Sequence, residues 1–198
     1  MATTILCLIV AFGAQSLVVV YPGVFVFWFT FHTRIEHWRS MGKGAYAYTA
    51  LGWPLIGGTV LWFRESIFRV VWPRPWWMIL AGVLALLVAI RVGSQAARTI
   101  PRQTLIGLVE LEPQHNLQPL LASGIYAKTR NPIYLTHWLI ILAAAAISGY
   151  AANWIFAGID SVLTALLMRV EEKELLARYG REFEDYMRRV PRFFPRLT

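Results

Sequence analysis

Two charge-dense blocks flank a pair of apolar runs in the last third of the chain, and they carry the residues best suited to chemistry. The first block runs from Gly124 to Tyr134, Gly-Ile-Tyr-Ala-Lys-Thr-Arg-Asn-Pro-Ile-Tyr. Its Asn131-Pro132 pair disfavours helix at Asn131 and suits a helix start at Pro132 or Ile133. The free backbone N–H groups at such a start attract an anion or a ligand carboxylate, and Arg130 just outside adds a charged donor. A plainer alternative stays open, in which Arg130 snorkels to lipid headgroups and Asn131 caps the helix.

The second block begins Arg169-Val-Glu-Glu-Lys-Glu and ends Val190-Pro-Arg-Phe-Phe-Pro195. Glu171 and Glu172 are adjacent, so on a helix at most one is expected to face a given site. Acids beside a strongly basic membrane face need a partner, and a cationic cofactor would be one. Surface pairing is the other reading, with Glu174 and Arg178 at the i,i+4 spacing of a helical ion pair. Asp160 stands in the middle of the last apolar run. A carboxylate in hydrocarbon is costly and marks a functional site by default, although protonation or a hydrogen bond to a neighbouring helix would also accommodate it. His115 and His137 lack the paired spacing of a metal site, so no metal is expected. No Gly-rich dinucleotide fingerprint opens a helix after a strand.

The elements that position these blocks follow from composition. The chain has 198 residues, 57% hydrophobic and 15% charged, with 9 Trp, 11 Phe and 8 Tyr. Soluble domains carry about 25% charged residues, so lipid has to serve as part of the solvent. An all-α, polytopic membrane protein is expected, folded as a single domain over 1–198. The net charge of +8 is spread between apolar runs rather than gathered into a nucleic-acid docking motif, so no nucleic-acid partner is expected. Cys7, the single cysteine, excludes an intramolecular disulfide. The first apolar run is far longer than a signal h-region and lacks a basic stretch before Ile5, which argues against a cleaved signal peptide.

Five apolar runs are readable: Thr4–Phe31, Gly44–Phe63, Trp76 to about Val92, Ile133–Ile147 and Tyr150–Met168. Pro22-Gly23 is the expected bend in the first. Gly52, Gly57 and Gly58 in the second would allow close helix approach. The segment 64–75 reads as an interfacial turn. Pro101, Pro113 and Pro119 keep 98–123 from being a simple span. Only Ser148 and Gly149 separate the last two runs, which predicts a tight helical hairpin. A helical, charged tail follows. With five spans, 16 of the 19 Lys and Arg residues fall on one side, which the positive-inside rule assigns to the cytoplasm together with the C-terminus and both blocks. The spans within 4–92 and a cofactor-binding and catalytic part at 98–196 would then share one domain.

The motif Gly124-x-Tyr126-x-x-x-Arg130-Asn131-Pro132-x-Tyr134, followed by Glu171-Glu172-x-x-Leu175, Gly180, Tyr186 and Val190-Pro191, resembles the isoprenylcysteine carboxyl methyltransferase and phospholipid methyltransferase superfamily. The resemblance covers roughly Arg98 to Pro195. It implies an enzyme that uses S-adenosylmethionine in a pocket facing the cytoplasm, with a lipophilic acceptor such as a prenylcysteine-like carboxylate or a lipid amine reached from the bilayer. By the same resemblance Gln118, Leu120, Leu121, Tyr126, Arg130, Asn131, Pro132, Ile133, Tyr134, Glu171 and Glu172 would bind the cofactor. Glu171 would hold its cationic methionine end as a catalytic residue, with Arg169 facing the acceptor. The location implied is a multi-pass protein of a bacterial inner membrane. Members often have His where Asn131 stands, and some have Arg where Leu167 stands; both positions bear on the acceptor class. Membrane sterol reductases that use NADPH share an Arg-x-Pro-x-Tyr loop, but commonly have Asn after the Pro, where this chain has Ile133. A non-enzymatic membrane scaffold, with Asp160 and the Gly-rich second run as a helix interface or conduction path, is the remaining alternative.

Overall fold

The computed structural model describes residues 2–105, 107–112 and 118–195, so Pro113, His115 and Arg196 lie outside the described residues. The described chain is all helical apart from one isolated antiparallel bridge between Val71 and Tyr150. The long helices are α1 (Ala2–Thr33), α3 (Ala45–Trp62), α5 (Trp76–Thr99), α8 (Pro132–Ser148) and α9 (Ala151–Tyr179). Short helices connect them: α2 (Ile35–Met41), α4 (Arg64–Ile67), α6 (Arg102–Leu105) and α7 (Leu108–Leu111). A 3-10 turn over Gly124–Ala127 precedes α8, and α10 (Arg181–Arg189) follows α9.

Three helices are long and apolar enough to cross a membrane, over Cys7–Thr33, Trp76–Thr99 and Ala151–Tyr179; apolar stretches at Ala50–Trp62 and Pro132–Ser148 are shorter. Their outer faces are apolar too. Phe12 is 76% exposed, Leu51 69% and Val162 62%, a surface that hydrocarbon solvates and water does not. Helix α1 runs without interruption through Pro22, so the expected bend there is not a break in the helix.

Helix α8 lies against α5, α1 and α9. The closest approach is between α5 and α8, where a Cβ on Gly82 would meet Ala143 O at 3.2 Å and Ile147 Cγ1 at 2.8 Å, and one on Gly93 would meet Thr136 Cγ2 at 2.9 Å. The glycines singled out in the second run behave differently. Gly52 and Gly58 have nothing within 4 Å, and Gly57 approaches Val19 Cγ1 at 3.2 Å. Close helix approach thus uses Gly82 and Gly93 of α5 against α8 and Gly57 of α3 against α1, where an added side chain would be driven into the neighbour.

At one end of the bundle, α8 and α9 join in a tight hairpin. Gly149 takes a left-handed φ of +75°, its carbonyl accepts from Trp72 N at 2.8 Å, and Val70 O accepts from Ala151 N at 3.0 Å. Arg74 Nη1 donates to the carbonyls of Ile147 and Ser148, each at 3.2 Å, which satisfies the free C-terminal carbonyls of α8. The opposite end gathers the C-terminus of α1, the start of α8 and the distal half of α9. Both charge-dense blocks meet there.

Candidate functional site

Helix α8 starts at Pro132 with Asn131 at its N-cap, but the Asn131 side chain makes no capping bond. Its Nδ2 donates instead to Arg192 O at 2.8 Å. On either side, Arg130 N donates to Pro191 O at 3.0 Å and Thr129 Oγ1 to Phe193 O at 2.6 Å. The segment after α10 is therefore a strap across the loop that opens α8. Trp138 anchors it, with the rings of Phe193 and Phe194 each edge-on at 5.7 Å.

Glu172 fastens the same junction from α9. Only 8% exposed, it accepts from Arg192 Nε at 3.0 Å and Nη2 at 2.6 Å. It also pairs with Arg130 Nη1 at 2.8 Å. That last contact lacks hydrogen-bond geometry, because Arg130 Nε and Nη1 are buried without a hydrogen-bond partner among the described residues. Burial lowers the Arg130 pKa, and Glu172 beside it works in the opposite direction.

These elements enclose a cavity of about 260 Å³. Helix α9 builds one wall with Asp160, Thr164, Leu167, Glu171, Leu175 and Arg178, a spacing that keeps all six on one helical face. Helix α1 supplies Tyr21, Phe25, Trp28 and His32 at the same periodicity. Of the site residues expected from sequence, Gln118, Leu120, Leu121, Tyr126, Arg130, Asn131, Pro132, Ile133, Tyr134, Glu171 and Glu172 all line this cavity. Arg169 does not; it is exposed. Glu171 and Glu172 both reach the lining although adjacent, but they differ in state. Glu172 is engaged by two arginines, while Glu171 Oε2 is buried with no hydrogen-bond partner among the described residues.

The i,i+4 pair expected between Glu174 and Arg178 does not form. Glu174 Oε2 lies 2.7 Å from His32 Nδ1 of α1, and His32 stacks on Trp28 at 5.7 Å. Arg178 lies over the Tyr179 ring at 5.3 Å and turns into the cavity wall. Its Nη2 is buried without a partner among the described residues. Tyrosines fix the mouth: Tyr186 OH donates to Tyr126 O at 2.6 Å, and Tyr179 OH to Gln118 O at 3.1 Å. Burial raises both the Tyr126 and Tyr186 hydroxyl pKa values, the latter to about 12; Glu171 reinforces the rise at Tyr126, while Arg130 opposes it at Tyr186. Both phenols are hydrogen-bonding groups and not bases at neutral pH.

The mouth therefore offers Glu171 Oε2 and Arg178 Nη2 without hydrogen-bond partners among the described residues, together with several aromatic rings. A zwitterionic, cationic ligand with a flat heterocycle fits that set. Sequence reasoning missed the α1 contribution, because α1 is apolar on every side and nothing local marks Tyr21, Trp28 or His32 as inward.

Comparison with known proteins points the same way over part of the chain. Over 88 residues, 44% of this chain and 32% of the relative, it is 33% identical to methanethiol S-methyltransferase 2 of Bradyrhizobium diazoefficiens. It is 29% identical over 72 residues to methanethiol S-methyltransferase of Crocosphaera subtropica, covering 36% of this chain and 28% of that protein. It is also 34% identical over 80 residues to cobalt-zinc-cadmium resistance protein CzcN of Cupriavidus metallidurans, covering 40% of this chain and 37% of that one. The chain spans about a third of the length of the curated relatives it matches. No family model and no solved structure matches it. The chain is thus distantly similar to methyltransferases over less than half its length.

Proposed function

We propose that this chain is an integral membrane methyltransferase that uses S-adenosylmethionine and methylates a lipophilic acceptor at the cytoplasmic membrane face. The observation that carries the reading is Glu171: a buried carboxylate oxygen without a hydrogen-bond partner among the described residues, in the wall of a cavity that also holds the Arg130–Tyr134 segment. The similarity to two methanethiol S-methyltransferases supports the reaction class, and the excess of Lys and Arg at the site end supports the orientation. We infer five membrane-crossing helices, the two shorter apolar ones included.

When bound, S-adenosylmethionine supplies an activated methyl group on a cationic sulfur. Glu171 compensates that cation. Arg178 and Arg130 offer donors to a carboxylate, and Tyr126, Tyr134 and Tyr179 provide ring faces and edges for a heterocycle. The protein's task is then alignment and exclusion of water. The strap at 191–193 holds Arg130 and Asn131 in place for it, through the bonds to Pro191, Arg192 and Phe193. Arg169, off the cavity wall, takes no part at the reacting centre.

The test is transfer of labelled methyl from S-adenosylmethionine by purified protein to a host membrane extract, followed by base treatment. Base-released methanol identifies a carboxyl acceptor, and base-stable label an amine or thiol. No label, with no stabilisation by S-adenosylmethionine and clear stabilisation by NADPH, would replace this reading with a reductase.

A further inference from the structure

Asp160 belongs to neither block and takes no part in the cofactor site just described. It is 5% exposed and lines the far end of the cavity with Tyr21, His137 and Thr164. The depth of that end is fixed by Trp138 Nε1, which donates to Ser161 Oγ at 2.7 Å and sets this level of α9 beside residues 137 and 138 of α8. That is about 8 Å beneath Pro132 at 1.5 Å per residue. Tyr21 arrives at the same level from α1, edge-on to His137 at 5.2 Å, and lines the cavity with Asp160. Thr164 follows Asp160 one turn later on the cavity face of α9.

Among the described residues Asp160 has no ion-pair partner. The arginines that line the cavity belong to the other end. Arg130 precedes α8 and pairs with Glu172, and Arg178 is about 27 Å along α9 from Asp160. A carboxylate placed this way, in a membrane-spanning helix, favours a ligand that brings a proton or positive charge, and it opposes a second carboxylate.

We propose that this end of the cavity is the acceptor subsite and that Asp160 selects an acceptor head bearing a transferable proton, an amine or a thiol, against a carboxylate. The inference rests on the methyltransferase reading. Methylation of such a head has to dispose of its proton. The acceptor nitrogen or sulfur forms a bond to the methyl carbon as the bond from that carbon to the donor sulfur breaks, its electron pair staying on that sulfur. Before that bond forms the acceptor's proton passes to the Asp160 carboxylate, which frees the attacking lone pair, and Asp160 returns the proton to water once the product has left. A carboxylate acceptor has no proton to give and would lie against a like charge.

Hexylamine, hexanethiol and hexanoate titrated by calorimetry into the full chain in phosphatidylcholine nanodiscs, with empty nanodiscs subtracted, test the proposal. The amine or the thiol is expected to bind about tenfold or more tightly than hexanoate, and the stronger of the two identifies the head. Asp160→Asn is expected to bring that ratio below about threefold while S-adenosylmethionine affinity changes less than about twofold. Hexanoate binding as tightly as the others, or a ratio unmoved by Asp160→Asn, overturns it. If that variant does not fold, the wild-type ratio alone decides. A preference that depends on Asp160 in a protein that does not bind S-adenosylmethionine would leave the subsite standing and remove the methyltransferase reading. Methyl transfer without the preference would do the reverse.

Discussion

Replacing Glu172 with Gln removes the anion that joins α9, the loop before α8 and the C-terminal strap, and the cost can be worked from exposure. The Arg130 side chain is 10% exposed and the Arg192 side chain 42%. Arg130 keeps its charge in the variant, because a guanidinium does not deprotonate at accessible pH. Breaking a buried pair while leaving the other charge in place costs roughly 3–5 kcal/mol. Arg192 can turn toward water, so its share is screened to below about 1 kcal/mol. Gln retains one acceptor oxygen, which favours the lower end, about 3 kcal/mol in all. At roughly 2–4 °C per kcal/mol for a chain of this length, the Tm should fall by about 6–12 °C. Intrinsic Trp fluorescence in detergent is the suitable readout, since Cys7 is exposed and a thiol-reactive dye would label the folded protein. Arg192→Gln is the control, with an expected fall of about 2–4 °C. A Glu172→Gln protein that melts within about 2 °C of wild type would refute the assignment of Arg130 as a buried, dependent charge. Equal losses in the two variants would place the energy in the strap instead.

Glu171→Gln should behave in the opposite way: an unchanged or slightly higher Tm, because a half-buried acid whose Oε2 has no hydrogen-bond partner among the described residues becomes neutral, with S-adenosylmethionine affinity by calorimetry reduced about 10- to 100-fold. Unchanged affinity would remove Glu171 from the cofactor site. Gly82→Ala, which sets a Cβ 3.2 Å from Ala143 O and 3.1 Å from Ala146 Cβ, should cost about 1–3 kcal/mol. Gly58→Ala, with nothing within 4 Å, should be neutral or stabilising in the same melting assay, and equal effects would contradict the α5–α8 packing. The Tyr186 hydroxyl, raised to about 12 by burial, ionises near 10 in the unfolded chain. Its contribution to stability is therefore complete below pH 10 and lost as pH rises toward 12. Melting scans should show that decline, shallower in Tyr186→Phe, whose Tm at neutral pH falls with loss of the 2.6 Å bond to Tyr126 O; parallel declines would refute the assignment.

Much of the site could be read where a local signal coincided with a long apolar run. Asn131-Pro132 fixes the start of α8 through backbone sterics alone, and Ser148-Gly149 fixes the hairpin because a left-handed residue is needed there. Glu171 stood out because an acid among so many arginines asks for a reason. Pairings that depend on the chain turning back were harder to read. Glu172 meets Arg192 only because α9 ends at Gly180, with φ +54°, and the chain reverses through α10. Glu174 passes over the neighbour one turn away for His32, 142 residues distant in sequence. A buried partner at 2.7 Å outweighs an exposed i,i+4 pair worth a few tenths of a kcal/mol. Of the α3 glycines Gly57 meets α1 as expected, while Gly52 and Gly58 misled for a related reason. Small residues permit close approach but do not compel it, and only a helix placed opposite them decides whether the permission is used.

The single face of α9 also says where the two halves of such a reaction would meet. Between Asp160–Thr164 and Glu171 the wall is Leu167, 1% exposed, and across the cavity the lining continues with Ile133 and Pro132. Two carboxylates on one helix face, about 16 Å apart along the axis, are thus separated by an apolar collar. A cation held at Glu171 and a proton-bearing acceptor held at Asp160 would approach each other across that collar. Transfer of a methyl from a cationic sulfur disperses charge, so an apolar, water-poor surrounding at the transferring carbon favours the transition state over the localised cation of the ground state. In this arrangement Leu167 matters through what it keeps out. An Arg at that position would instead place a guanidinium between donor and acceptor, repelling the cation and attracting a carboxylate, so Leu167 and Asp160 favour the same class of acceptor by independent means.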